Sequence, residues 1–163
     1  MPENGNPGQT DELEGVGKLG YYHAEIIDIS LMDAEMIRQF EILDIRKRFC
    51  GLLKIYTIAV PEEKAEDVAV KFQKNLGTKL HKEWYISVHN AEHAFIVFRN
   101  RIFSLSTKGI CVVHGRKLNV ANAEDKDKWE EVIAYAIALG VPENQCDFLP
   151  EGFEDWGKYT GYL

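Results

Sequence analysis

His89 and His93 stand four residues apart in VHNAEHAFIVF, residues 88–98, with Glu92 between them, and His114 follows in HGRK. Neutral imidazoles with one carboxylate suit zinc, which takes nitrogen and oxygen donors in tetrahedral geometry. The spacing sets the weight of that reading. On a helix, four residues make one turn and bring both rings to one side, as in H-E-x-x-H. Here the order is H-N-A-E-H, and Asn90, Ala91 and Glu92 read as a tight turn. A β-hairpin with histidines beside its turn is the plainer reading, and no metal is expected.

Acid–base chemistry has a second set of residues, His23, Glu25 and Asp28 in HAEIID, together with carboxylates near the C-terminus. No G-x-S-x-G, glycine-rich phosphate loop or H-E-x-x-H accompanies them, so no reaction class is indicated and no cofactor is expected. Cys50, Cys111 and Cys146 are odd in number and widely spaced, with no C-x-x-C pair. They signal neither a disulfide framework nor a cysteine zinc site. Reduced, mostly buried thiols fit best.

The elements that must position these residues follow from pattern and punctuation. Residues 1–19 are rich in Gly, Asn, Pro and Glu and read as a disordered tail, with a single α+β domain over 20–163. Tyr and Ile content predicts a strand over 21–29. Asp33 can cap a helix over about 33–48, with Met36, Ile37, Phe40 and Leu43 at helical spacing, although a loop with a shorter helix also fits. LLKIYTIAV, 52–60, is a strand ended by Pro61. EEKAEDVAVKFQKNLG then places Ala65, Val68, Ala69, Phe72 and Leu76 on one helix face, with Gly77 as its C-cap.

KEWYISVH and HAFIVFRNRIF form strands around the 90–92 turn. ICVV and KLNV make a further hairpin about His114, Gly115 and Arg116. EDKDKWEEVIAYAIALG is a helix capped by Asn122 and stopped by Gly140. The acidic, aromatic C-terminus docks through Phe148, Phe153 and Trp156. The string matches a ferredoxin-like core (β-α-β-β-α), helices on one face of an antiparallel sheet. An N-terminal strand and helix are added to it, and an extra hairpin precedes the last helix.

Two strands are apolar on both sides. Ile55, Thr57 and Ala59 alternate with Tyr56, Ile58 and Val60, and Phe95 and Val97 alternate with Ala94, Ile96 and Phe98. A sheet with one wet face should alternate apolar with polar. The second face is therefore covered by the 33–48 helix, by the C-terminal segment or by another subunit.

Charge narrows the partners. The chain of 163 residues carries a net charge of −7 and suits one domain with its own core. That balance weighs against nucleic acid, whose phosphates want clustered Lys and Arg. DIRKRFCGLLK, FRNRIF and HGRK are local basic stretches, read most plainly as a helix C-terminus or solvated turns. No apolar run approaches the roughly 18 residues of a membrane span, so no membrane is expected. The N-terminus lacks the basic start and apolar middle of a signal peptide, and a cytoplasmic location is expected.

AEHAFIVF, 91–98, resembles the aromatic octamer of RNA-recognition domains at Ala94, Phe95 and Phe98, with Ile96 a close replacement. IYTIAV, 55–60, resembles the family's shorter motif, and GRKLNV, 115–120, its last strand. The resemblance implies that Tyr56 and Phe95 would stack on RNA bases, each contact worth about 1–3 kcal/mol. It departs at Ala91, Glu92 and His93, where a basic residue, a glycine and an aromatic belong. The segment 99–114 also reads as strand where that family has a helix.

The reading that joins these observations is a small non-catalytic module that binds or oligomerises through its sheet face, using Tyr56, Ile58, Phe95 and Val97. A second copy of the chain, as a homodimer, or a protein or small-molecule partner would occupy that face. Single-stranded RNA binding and an enzyme of unspecified reaction are the alternatives.

Overall fold

The computed structural model describes residues 20–113 and 117–155. The tail expected at 1–19, the turn residues 114–116 and Trp156 lie outside the described residues. The fold is α+β. Its sheet contains β1 (Tyr21–Ile27), β2 (Glu41–Arg48), β3 (Leu53–Pro61), β4 (Tyr85–His89), β5 (His93–Phe98) and β6 (Ile102–Ser106). Their spatial order is β2-β3-β1-β4-β5-β6, and each neighbouring pair runs antiparallel. A small hairpin of β7 (Cys111–Val113) and β8 (Lys117–Asn119) stands apart. The helices are α1 (Ala65–Asn75) and α2 (Lys126–Leu139).

The expected helix over 33–48 is the largest correction. Only Ala34–Gln39 is helical, as a short 3₁₀ segment whose cap, Asp33, accepts the Glu35 N–H at 3.0 Å. Residues 41–48 are instead the edge strand β2. A bulge at Leu43 explains why that strand resembles a helix. Ile42 pairs with Ile58 and Ile45 with Tyr56, so two apolar residues three apart share one face. An unbroken strand would have placed them on opposite faces.

The element order is also not simply the expected β-α-β-β-α. β3 and β4 are each antiparallel to β1, which lies between them, so β3-α1-β4 is a split crossover whose central strand comes from the N-terminal side. The two helices also pack on opposite faces. Ala65, Val68, Ala69 and Phe72 of α1 join Ala24, Ile26, Ile58, Val60, Ile86, Val88 and Val97 in one core. Trp129, Val132 and Ala136 of α2 join Ala94, Ile96, Phe98, Phe103 and Leu105 in the other. β5 is apolar on both sides, so burying it needs a cover on each.

The C-terminal segment completes the second cover, with Val141, Cys146, Phe148, Leu149 and Phe153 all buried in that core. Phe148 and Phe153 dock as expected. Two expected caps act otherwise. Gly77 follows the end of α1 and donates its N–H to the Ser30 carbonyl at 2.8 Å, where a Cβ would crowd Met32. Asn122 does not cap α2, because Asp125 holds that position and accepts the Ser106 N–H at 2.6 Å. Gly140 does stop α2, in the left-handed conformation.

Gly109 has the strictest backbone requirement. Its φ is +80°, and a Cβ there would sit 2.0 Å from the Asn122 carbonyl oxygen. Gly109→Ala is expected to cost about 2–3 kcal/mol through left-handed strain and the shift that clash forces, read as a lower urea midpoint.

Candidate binding groove

Among the described residues, α2 and the C-terminal segment pack on the apolar half of the second sheet face. From β6 to β5 its outward residues are Phe103, Leu105, Ala94, Ile96 and Phe98, all beneath α2 and the C-terminal segment. From β4 onward the same face carries most of the sheet's inward polar groups: Tyr85, Ser87 and His89 on β4, His23 and Glu25 beside Ile27 on β1, Thr57 between Ile55 and Ala59 on β3, and Asp44 and Arg46 on β2. A groove of about 720 Å³ opens between this half and residues 141–151. Ligand pockets commonly run from about 300 to 1,000 Å³.

The groove's polar groups are held firmly but not all are satisfied. Arg46 Nη2 lies 2.6 Å from Glu25 Oε1, a bond that reaches diagonally across β3. Its Nε is buried, makes no hydrogen bond and lies 3.9 Å from Asp44 Oδ2. Ser87 Oγ is also buried without a hydrogen-bond partner, on a residue only 8% exposed. Buried polar atoms are nearly always paired, so each such atom calls for an explanation. At one end Tyr85 donates its hydroxyl to the Gln145 carbonyl at 2.8 Å and lies 3.2 Å from Asp147 Oδ1. Burial, reinforced by the Asp147 carboxylate, pushes the Tyr85 hydroxyl pKa far up.

His23 and His89 face each other across β1 and β4, both buried. Burial lowers the His23 pKa to about 4 and that of His89 to about 3, with His23 adding to the second shift. Both rings are neutral at pH 7. The His89 ring meets Phe153 edge-on at 6.0 Å, so they act as floor and packing rather than as charges.

The residues expected to form an association face lie on the other side. Ile58 and Val97 are fully buried with α1, and Tyr56 and Phe95 are partly buried beside them. β1 and β4 separate their strands, which puts roughly 14 Å between them at about 4.8 Å per strand. The histidine pair also splits. His89 faces the groove, whereas His93 lies on the α1 side, with Nδ1 3.3 Å from the Tyr22 hydroxyl and Nε2 2.8 Å from Ser104 Oγ. No group of three or more metal-ligating side chains gathers among the described residues.

Asp28 serves the backbone, with Oδ1 accepting the N–H groups of Ile29 and Lys54. The expectation of mostly buried thiols is corrected, since Cys50 and Cys111 are exposed and only Cys146 is buried. Ser87, Tyr85 and Arg46 were missed by sequence reasoning. Period-two polar pairs, His23 with Glu25 and Ser87 with His89, inside otherwise apolar strands were the available signal. Comparison with protein-family models, curated proteins and solved structures gave no match.

Proposed function

We propose that this chain is a non-catalytic binding module and that its site is the groove on the polar half of the second sheet face. The observation that carries the reading is Ser87 Oγ, a buried hydroxyl in the groove with no partner of its own. With Arg46 Nε it supplies two buried donors, which fit a small polar molecule bearing acceptor oxygens. Glu83, Asp147 and Glu151 on the rim can take the ligand's donors. The association face expected at Tyr56, Ile58, Phe95 and Val97 lies beneath or beside α1, so the binding role moves to the opposite side. Exposed Cys50 and Cys111 thiols support a reducing, cytoplasmic setting.

A binding role and a stability role separate at Ser87. Removing a buried unsatisfied hydroxyl relieves its desolvation penalty, so Ser87→Ala is expected to raise stability by about 1 kcal/mol. The same variant is expected to lose the thermal shift that carboxylate, phosphate or sugar compounds give the unmodified chain. A destabilised Ser87→Ala, or one that keeps every shift, contradicts the proposal.

A further inference from the structure

The tip of the β2–β3 hairpin is built at a cost to the fold. Phe49 and Leu52 are 72% and 78% exposed. Phe49, Cys50 and Gly51 all have positive φ, at +52°, +55° and +85°. Asn, Asp and Gly adopt that conformation readily, whereas Phe and Cys are strained in it. Just below the turn Lys47 lies directly opposite Lys54, a like-charge pairing that destabilises a sheet. Arg48 adds a further exposed cation. This basic, apolar-tipped hairpin belongs to a chain whose net charge is −7.

We propose that the hairpin tip docks on an anionic lipid surface. Lys47, Arg48 and Lys54 meet the headgroup charge, while Phe49 and Leu52 enter the boundary with the acyl chains. Charge complementarity selects the occupant's sign, and the two side chains select its apolar layer. A nucleic acid would use Phe49 for stacking but leave Leu52 without a role. This contact is peripheral, and among the described residues no helix is long and apolar enough to cross a membrane. It adjoins the groove, whose lining includes Arg48, while Arg46 is already engaged by Glu25.

The test is co-sedimentation of the full chain, under reducing conditions, with phosphatidylcholine vesicles containing or lacking phosphatidylserine. Binding is expected only with phosphatidylserine and is expected to weaken as salt rises. Phe49→Asn and Lys47→Glu are each expected to lower the partition about tenfold or more. Both should also raise the melting temperature. Asn suits the left-handed turn, and the carboxylate introduced by Lys47→Glu would face the Lys54 ammonium in place of a like charge. A variant that merely damaged the fold would move the two readouts together. No partition onto phosphatidylserine vesicles, equal binding to both vesicle types, or full binding by both variants overturns the proposal. Capture of an acidic protein or an RNA with no vesicle binding overturns it too.

Discussion

Trp129→Ala is expected to destabilise the fold by about 4 kcal/mol or more, the upper part of the range for truncating a buried large aromatic residue. Trp129 is fully buried at the centre of the second core, in α2, with Phe148 tilted against it at 6.5 Å. Its indole N–H donates to the Ser106 carbonyl at 2.7 Å and so ties α2 to the end of β6. Truncation leaves a large void and also removes that donor. Domains of this size are stable by only about 5–15 kcal/mol, so most of the reserve would go. Urea unfolding followed by far-ultraviolet circular dichroism measures the change. A loss below about 1 kcal/mol, against the roughly 3–5 typical of such truncations, would contradict the assignment of α2 to the second face.

Acid is expected to unfold the protein through His23 and His89. Both imidazoles are neutral in the folded state, with pKa values of about 4 and about 3, set mainly by burial. In the unfolded chain each returns to about 6.5. Between those limits the unfolded state binds more protons, so stability rises with pH across the window. The contribution is complete above about pH 6.5 and is lost as pH falls towards 4 and then 3. The two groups together account for roughly 3–6 kcal/mol between about pH 6.5 and pH 4. Urea midpoints across that range measure the slope. His23→Gln and His89→Gln are each expected to reduce it by about one proton's worth, and an unchanged slope in both would remove the histidines from the acid response.

How much was legible in the sequence varies by element, for physical reasons. α1 and α2 were readable because each has an apolar stripe at helical spacing, and α2 ends at Gly140 in the required left-handed conformation. The central strands were readable because both of their faces are buried. β2 was not, because the Leu43 bulge gives an edge strand a helical spacing. The sheet order was not legible, since nothing local to Tyr21–Ile27 says that this strand lies between β3 and β4.

The groove was hidden for a related reason. Arg46 belongs to the misread β2, and Ser87 is a short polar residue in a strand of otherwise bulky ones. Only the sheet order brings them to one face with Glu25 and His89. Tyr56, Ile58, Phe95 and Val97 drew attention because their strands were two-sided, yet their own side is the one α1 closes. Both proposals rest on residues a stability-optimised sheet would avoid: an unsatisfied Ser87, and a strained Phe49 beside opposed lysines.

The groove is tested most directly by amide chemical-shift mapping of the full chain with the polar compound that gives the largest thermal shift. The expected result is a set of saturable shifts confined to 23–27, 44–48, 85–89 and 141–151, and absent in Ser87→Ala. Shifts centred on α1, shifts that persist in Ser87→Ala, or no saturable shift from any compound would contradict the account.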